Sequence, residues 1–370
     1  MRSRNFNSAL LFSLCFKYGI SFAAYSYLPY CLLVYSATIS PFGFCCMKVL
    51  FIGGTGNISL SASRLLLSRG CDLWLLNRTG SHVDLPSAHF ICGDIDTPQA
   101  HRHLDDFEWD AVVNWIAFTP EHIERDIQLF RGKARQYIFI SSASCYQNPG
   151  PTPYITERTP LENPFWEYSR NKIAAERTLM SAYEREGFPA TIVRPSHTYS
   201  TVIPLTIGGW TEYTAVARMK QGKPVVVQGD GTSVWTLTHA EDFARGFAGL
   251  VGNAKAIGED FHITSDEFLT WDTIYQLTAE AAGCEARIVH VTSERICALN
   301  PDYTGTLLGD KSVSAIFDNS KIKALVPDFR AEIPYREGIK RTIAWFEADP
   351  ARQRINPATD AFIEKLITLA

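Results

Sequence analysis

The sequence lacks any C-x-x-C pair. Four of its nine cysteines (Cys15, Cys31, Cys45, Cys46) crowd into the first 46 residues, and Cys71, Cys92, Cys145, Cys284 and Cys297 stand singly. This spacing offers neither a zinc framework nor a disulfide scaffold and fits a reducing cytoplasm. Basic runs are also missing. The formal charge is −4, and because Arg2, Arg4 and Lys17 are the only charged residues before Met47, the rest of the chain carries −7. Such a balance argues against a general nucleic-acid surface. Internal repeats and low-complexity linkers are absent too. One H-x-H pair, His101 and His103, sits beside Arg102 and Asp105 in a polar stretch and reads as a solvated loop rather than a metal site.

What remains is an ordinary globular composition over 370 residues, 46% hydrophobic and 20% charged. Residues 1–46 stand apart: an apolar run at Ala9–Phe16 follows Arg2 and Arg4, and Tyr18–Cys46 has no charge. A signal peptide or anchor would look like this, but Lys17, Pro29 and Pro41 interrupt it, and MKVLFIGGTG reads as a natural start at Met47. An over-extended start is therefore the expectation, with membrane association only if the leader is genuine. From Lys48 onward, short apolar runs alternate with amphipathic stretches: Lys48–Ile52, Ile58–Ser68, Asp72–Leu76, His89–Ile91, Ala111–Trp115, Ile123–Phe130 and Gln136–Ser141. This β-α-β rhythm predicts a parallel sheet covered on both faces. A long helix at 166–186 and a strand at 190–194 follow. Beyond Ser200 the rhythm loosens, which places a dinucleotide domain at 47–200, a smaller interleaved lobe at 201–350 and a tail at 351–370.

The first strand runs into Gly53-Gly54-Thr55-Gly56-Asn57-Ile58-Ser59 and then a helix. Glycines permit the tight turn and close approach of a pyrophosphate, and the helix start supplies N–H groups and positive potential. In this context the loop predicts a Rossmann-type, doubly wound α/β domain with Gly53, Thr55, Gly56, Asn57 and Ile58 against a dinucleotide. After the second strand, Asn77 and Arg78 offer no carboxylate for the adenosine ribose, and Arg78 suits a 2′-phosphate. NADP is thus expected over NAD. Asp94 and Ile95, after the third strand, are placed to meet adenine.

Tyr168 and Lys172 stand at i and i+4 on one helical face. An ammonium near a phenol favours the phenolate, lowering its pKa from about 10 toward that of a working acid/base. Ser141 and Ser142 close the preceding strand, where a hydroxyl can polarise a substrate carbonyl. The ordered set GGTGNIS, SSASCY, YSRNK and RPSHTY, followed by Gly229-Asp230-Gly231, His239-Ala240-Glu241-Asp242 and Phe261-His262-Ile263-Thr264, resembles the extended short-chain dehydrogenase/reductases, the NAD-dependent epimerase/dehydratase family. The resemblance covers nearly all of 47–350. It implies Ser142 as catalytic hydroxyl, Tyr168 as acid/base, Lys172 as the residue that tunes Tyr168 and holds the nicotinamide ribose, and His197 near the cofactor.

Departures narrow the substrate. Where family members that bind nucleoside-diphosphate sugars carry clamp residues, this chain reads Trp235, Leu307 and His197, and Ala143 and Ser144 replace the acidic pair of the 4,6-dehydratases. The resemblance thus implies hydride transfer on a carbohydrate-like hydroxyl or carbonyl, with epimerisation, oxidation or reduction as the net result. The expected partner is a small molecule, with no nucleic acid favoured, in a chain that could form a homodimer. Two rival readings share the fold: chloroplast stem-loop RNA-binding proteins, disfavoured by the −7 charge, and redox-sensing NADP-binding regulators, which usually lose the tyrosine kept here as Tyr168.

Overall fold

The computed structural model describes residues 47–80, 83–105, 107–152 and 154–369. The leader reading for residues 1–46 lies outside them. Among the described residues, no helix is long and apolar enough to cross a membrane.

Seven strands, β1 (Lys48–Ile52), β2 (Asp72–Asn77), β3 (His89–Cys92), β4 (Ala111–Asn114), β5 (Tyr137–Ile140), β6 (Ala190–Pro195) and β7 (Asp260–Ile263), form one sheet in the order β7-β6-β5-β4-β1-β2-β3. Every pairing is parallel, with Lys48 opposite Asp72 and Val49 opposite Ala111 across the two edges of β1. The order reverses beside β1, which opens a crevice at the carboxyl ends of β1 and β4.

Side-chain alternation along β1 feeds two cores. Val49 and Phe51 pack with Ala62 and Leu66 of α1 (Ser59–Ser68), while Leu50 and Ile52 pack with Ile123 and Ile127 of α3 (Pro120–Phe130) and Leu179 of α4 (Glu167–Glu186). The smaller lobe has its own aromatic core, including Tyr199, Trp235, Trp271, Tyr275 and Tyr335. Paired two-stranded ribbons frame it, among them 224–228 with 287–291 and 154–155 with 316–317. Tyr146 and Ile155, which precede residue 200, belong to this core, and β7 returns from beyond it to the main sheet.

Two expectations need correction. His101 and His103 lie in a helix, α2 (Pro98–Asp105), not a loop, because Ala100 and Leu104 at i, i+4 spacing bury against Leu76, Ile91 and Ile95. The final segment is more than a tail. Helix 357–368 buries Ile363 and Leu366 with Ile207, Val226 and Leu307, and Asp360 and Glu364 pair with the buried Arg218.

A buried polar network ties the sheet to the lobe. The Arg194 side chain, 3% exposed, grips Glu176 through two hydrogen bonds of 2.8 and 2.6 Å and donates to the Tyr146 hydroxyl at 2.9 Å and to Asp260 at 2.5 Å. The Tyr146 hydroxyl lies 3.2 Å from His262 Nδ1, whose other ring nitrogen meets the Asp318 carbonyl at 2.9 Å.

Candidate active site

The loop after β1 turns where no side chain would fit. Gly53 and Gly54 have φ of 94° and 113°, and a Cβ on Gly54 would come within 2.7 Å of Leu75 Cδ2. The buried Ser63 hydroxyl donates to the Gly54 carbonyl at 2.7 Å, fixing the turn from α1. No side chain caps the start of α1; the Leu60 amide donates to the Gly56 carbonyl at 3.0 Å, and the positive end of the helix still faces the loop, which suits an anion. This loop borders a cavity of about 600 Å³ whose lining contains Gly53, Thr55, Gly56, Asn57, Ile58, Asn77, Arg78, Asp94, Ile95, Tyr168 and Lys172. The residues present therefore fit a dinucleotide: a glycine cradle and open helix start at one end, Tyr168 and Lys172 at the other.

Several of these residues also have structural duties. Asn57 donates to the Thr198 carbonyl at 2.9 Å and accepts from the Thr201 amide at 3.0 Å, binding the loop to the segment after β6. The Asn77 carboxamide, turned with its nitrogen toward the loop, donates to the Gly53 carbonyl at 2.9 Å and the Leu76 carbonyl at 3.1 Å. Arg78 is exposed at the rim. His197, expected near the cofactor, lines a second cavity instead. Its ring stacks on Trp210 at 5.5 Å and meets the Pro204 carbonyl at 3.2 Å, and burial with the nearby Lys311 keeps it neutral.

The start of α4 is set by Asn163, whose Oδ1 accepts from the Phe165 and Trp166 amides. The first two turns then present Tyr168 and Lys172 on one face. Lys172 is 2% exposed, and its Nζ donates to the carbonyls of Ala117 (2.6 Å) and Ile140 (2.8 Å) while lying 5.7 Å from the Tyr168 ring centroid. Burial lowers its pKa to about 7. Burial pushes the Tyr168 phenol up to about 12, with the Ser142 hydroxyl pulling the other way. The expected lysine-driven depression is therefore not what the structure displays: desolvation dominates, and Nζ is spent on two backbone carbonyls. Tyr168 holds its proton near neutrality.

Ser142 heads a chain of hydroxyls. Its Oγ accepts from the Ser144 amide at 3.2 Å and lies 2.9 Å from Ser144 Oγ, which accepts from the fully buried Ser169 at 2.7 Å. Ser142 faces only the second cavity and Lys172 only the first, whereas Tyr168 lines both. The second cavity, about 640 Å³, is walled by Tyr146, Trp166, Trp210, Trp235, Tyr303 and Phe317, with Asp302, Asp310 and Lys311 among its polar groups. Trp210 also borders both cavities, at a φ of 58° that bulky residues rarely adopt.

Sequence reasoning missed Ser169, Trp166, Trp210 and the 300–311 segment. Of these, Ser169 had a local signal, one residue after Tyr168 on a predicted helix. The 300–311 segment carries no periodic pattern, because it is a chain of short turns ending in a π-helical stretch, Leu307–Lys311.

Comparison with known proteins bears on the fold and the family. A family model described as the NAD dependent epimerase/dehydratase family matches residues 49–264. The chloroplast stem-loop binding protein of 41 kDa b from Arabidopsis thaliana is 28% identical over 262 residues, covering 66% of this chain and 65% of its own length. The 2'-dehydrokanamycin reductase of Streptomyces kanamyceticus is 27% identical over 255 residues, covering 67% of this chain and 70% of its own. Among solved structures, dTDP-glucose 4,6-dehydratase from Bacillus anthracis in complex with NAD superposes with a TM-score of 0.66 at 20% identity, over 83% of this chain and 98% of that one. At that identity the likeness speaks for the fold.

Proposed function

Because the chain belongs to the NAD dependent epimerase/dehydratase family, we propose that it is an NAD(P)-dependent oxidoreductase or epimerase acting on a carbohydrate-like hydroxyl or carbonyl. The observation that carries this reading is the meeting of two cavities at Tyr168, one bordered by the glycine loop and the other by aromatic and polar side chains. The turn Gly53–Ser59 and the start of α1 would hold the pyrophosphate, Asp94 and Ile95 the adenine end, and Lys172 the nicotinamide ribose. The nicotinamide, when bound, supplies hydride exchange.

Tyr168, protonated near neutrality, donates its proton to a substrate carbonyl oxygen that gains negative charge, and takes one back from a hydroxyl in the reverse sense. Ser142 steadies that oxygen through its hydroxyl, which the Ser144–Ser169 chain orients. Lys172 keeps the floor of the dinucleotide cavity rigid through its two carbonyl contacts. One relative named as a reductase of a dehydrokanamycin and another named UDP-glucose 4-epimerase, from Lactobacillus helveticus, support a carbohydrate substrate. A second reading, stem-loop RNA binding, is favoured by the name of the Arabidopsis relative. The −7 charge of residues 47–370 weighs against it, and an RNA gel shift at moderate salt would discriminate.

We assign NADP as the preferred cofactor. Asn77 presents no carboxylate to repel a 2′-phosphate, and Arg78 stands at the cavity rim. A hydrogen bond to a charged group contributes about 1.5–3 kcal/mol, or roughly tenfold to a hundredfold in affinity. Fluorescence titration should find NADP(H) tighter than NAD(H) by that factor, and Arg78→Ala should erase the difference while sparing NAD(H). Tighter NAD(H) binding by the wild-type protein would place Arg78 elsewhere and make NAD the cofactor.

A further inference from the structure

The second cavity has an unusual charge for a pocket that would receive a sugar joined to a diphosphate. Among the described residues that line it there is no arginine, and the ionisable side chains apart from tyrosine are His197, Asp302, Asp310 and Lys311. His197 is held neutral by burial and by Lys311. Lys311, the one ammonium, is already paired with Asp310 at 2.7 Å, and both side chains are largely buried. The lining as a whole is thus net acidic, and its single cation is neutralised before any ligand arrives. A diphosphate entering here would lose water, meet Asp302 and find no unpaired positive group.

The same features suit a cation. Lys311 Nζ lies 5.9 Å from the Trp166 ring centroid and 5.4 Å from that of Trp235, so these indole faces already accept an ammonium. Trp210, Tyr303 and Phe317 also line the cavity, and an aromatic wall of this kind can pack against the C–H face of a sugar. The Lys311 pairing engages Asp310 Oδ2 and leaves the other carboxylate oxygen able to accept. The stretch that carries the pair is fixed on both sides. Asn163 donates to the Gly309 carbonyl at 2.6 Å, and the Trp271 indole donates to the Lys311 carbonyl at 3.1 Å. Asp310 is therefore a positioned group.

We propose that this cavity selects a carbohydrate ring bearing an amino group, with Asp302 and Asp310 as its counter-charges, and rejects nucleoside-diphosphate sugars. The selection rests on the reading of this cavity as the substrate pocket beside Tyr168, and it specifies what that pocket takes.

Ligand-observed NMR on the NADP⁺-loaded full chain, with glucosamine, glucose and UDP-glucose as probes, tests it without needing turnover. Glucosamine should bind at least tenfold more tightly than glucose, and UDP-glucose no more tightly than glucose. Asp310→Asn and Asp302→Asn should each remove most of the amine preference while leaving glucose binding within about twofold of wild type. Asp302 sits at an exposed position, so its variant remains informative if Asp310→Asn disturbs the turn. UDP-glucose binding more tightly than glucosamine, glucosamine and glucose binding alike, or an amine preference that survives both substitutions would overturn the proposal and leave the oxidoreductase reading standing. Failure of the chain to take up either NADP⁺ or NAD⁺ would instead remove that reading.

Discussion

Replacing Tyr168 by phenylalanine should lower turnover by about 10²–10⁴-fold, the range that a positioned acid/base contributes, while dinucleotide affinity stays within a few-fold of wild type. Phenylalanine keeps the ring that packs 5.0 Å from Trp166 and 6.3 Å from Phe118 by centroid, so the wall between the cavities survives. Only the hydroxyl is lost. Lys172→Ala should behave differently, because it strips the Ala117 and Ile140 carbonyls of their buried donor and opens the floor of the dinucleotide cavity. It should lose both turnover and binding. Steady-state rates paired with fluorescence titration of NADP(H) separate the two patterns, and near-normal activity of Tyr168→Phe would remove the tyrosine from the chemistry.

Arg194→Met should destabilise the fold by about 3–5 kcal/mol, the usual cost of leaving a buried ion without its partner. The Glu176 side chain is 3% exposed and would face that loss directly, while Asp260 and the Tyr146 hydroxyl lose a donor. Urea midpoints measure the effect. Adding Glu176→Leu to Arg194→Met should recover much of it, since an apolar pair leaves no uncompensated charge, and a double variant no better than the single one would contradict this.

The same network makes wild-type stability acid-sensitive. Burial first, then Arg194, hold His262 at about 4 against an ordinary 6.5, with Glu157, Asp260 and Asp318 also facing it. The folded state therefore binds fewer protons at His262 than the unfolded chain. Its contribution is complete above pH 6.5 and is lost as pH falls toward 4, on the order of 3 kcal/mol. Glu157, whose pKa burial raises, takes up a proton in the folded state as pH falls and offsets part of that loss.

The sheet was legible because parallel strands buried on both faces read as short apolar runs, and β1 has the boundaries that the sequence predicts. The dinucleotide cavity was legible for a related reason, since loop, strand end and helix start are contiguous in sequence. His197 lines the second cavity because the backbone after the Arg-Pro of β6 turns into the strand 197–199, which pairs with 237–239 and carries its ring to Trp210. The walls of the second cavity were hidden for a different reason. Trp166, Trp210, Asp302 and Lys311 come from separate turns brought together only by tertiary packing, and none shares a periodic pattern with another. The phenol's upward shift was equally invisible, because desolvation depends on what surrounds Tyr168 in space.

A crystal structure grown with NADP(H) measures most directly whether the chain is a dinucleotide enzyme that works through Tyr168. The expected result is pyrophosphate density against Gly53–Ser59, with the nicotinamide end beside Tyr168 and Lys172 and open to the cavity that Ser142 lines. Density for the dinucleotide outside that cavity, or a nicotinamide end turned away from Tyr168, would contradict it.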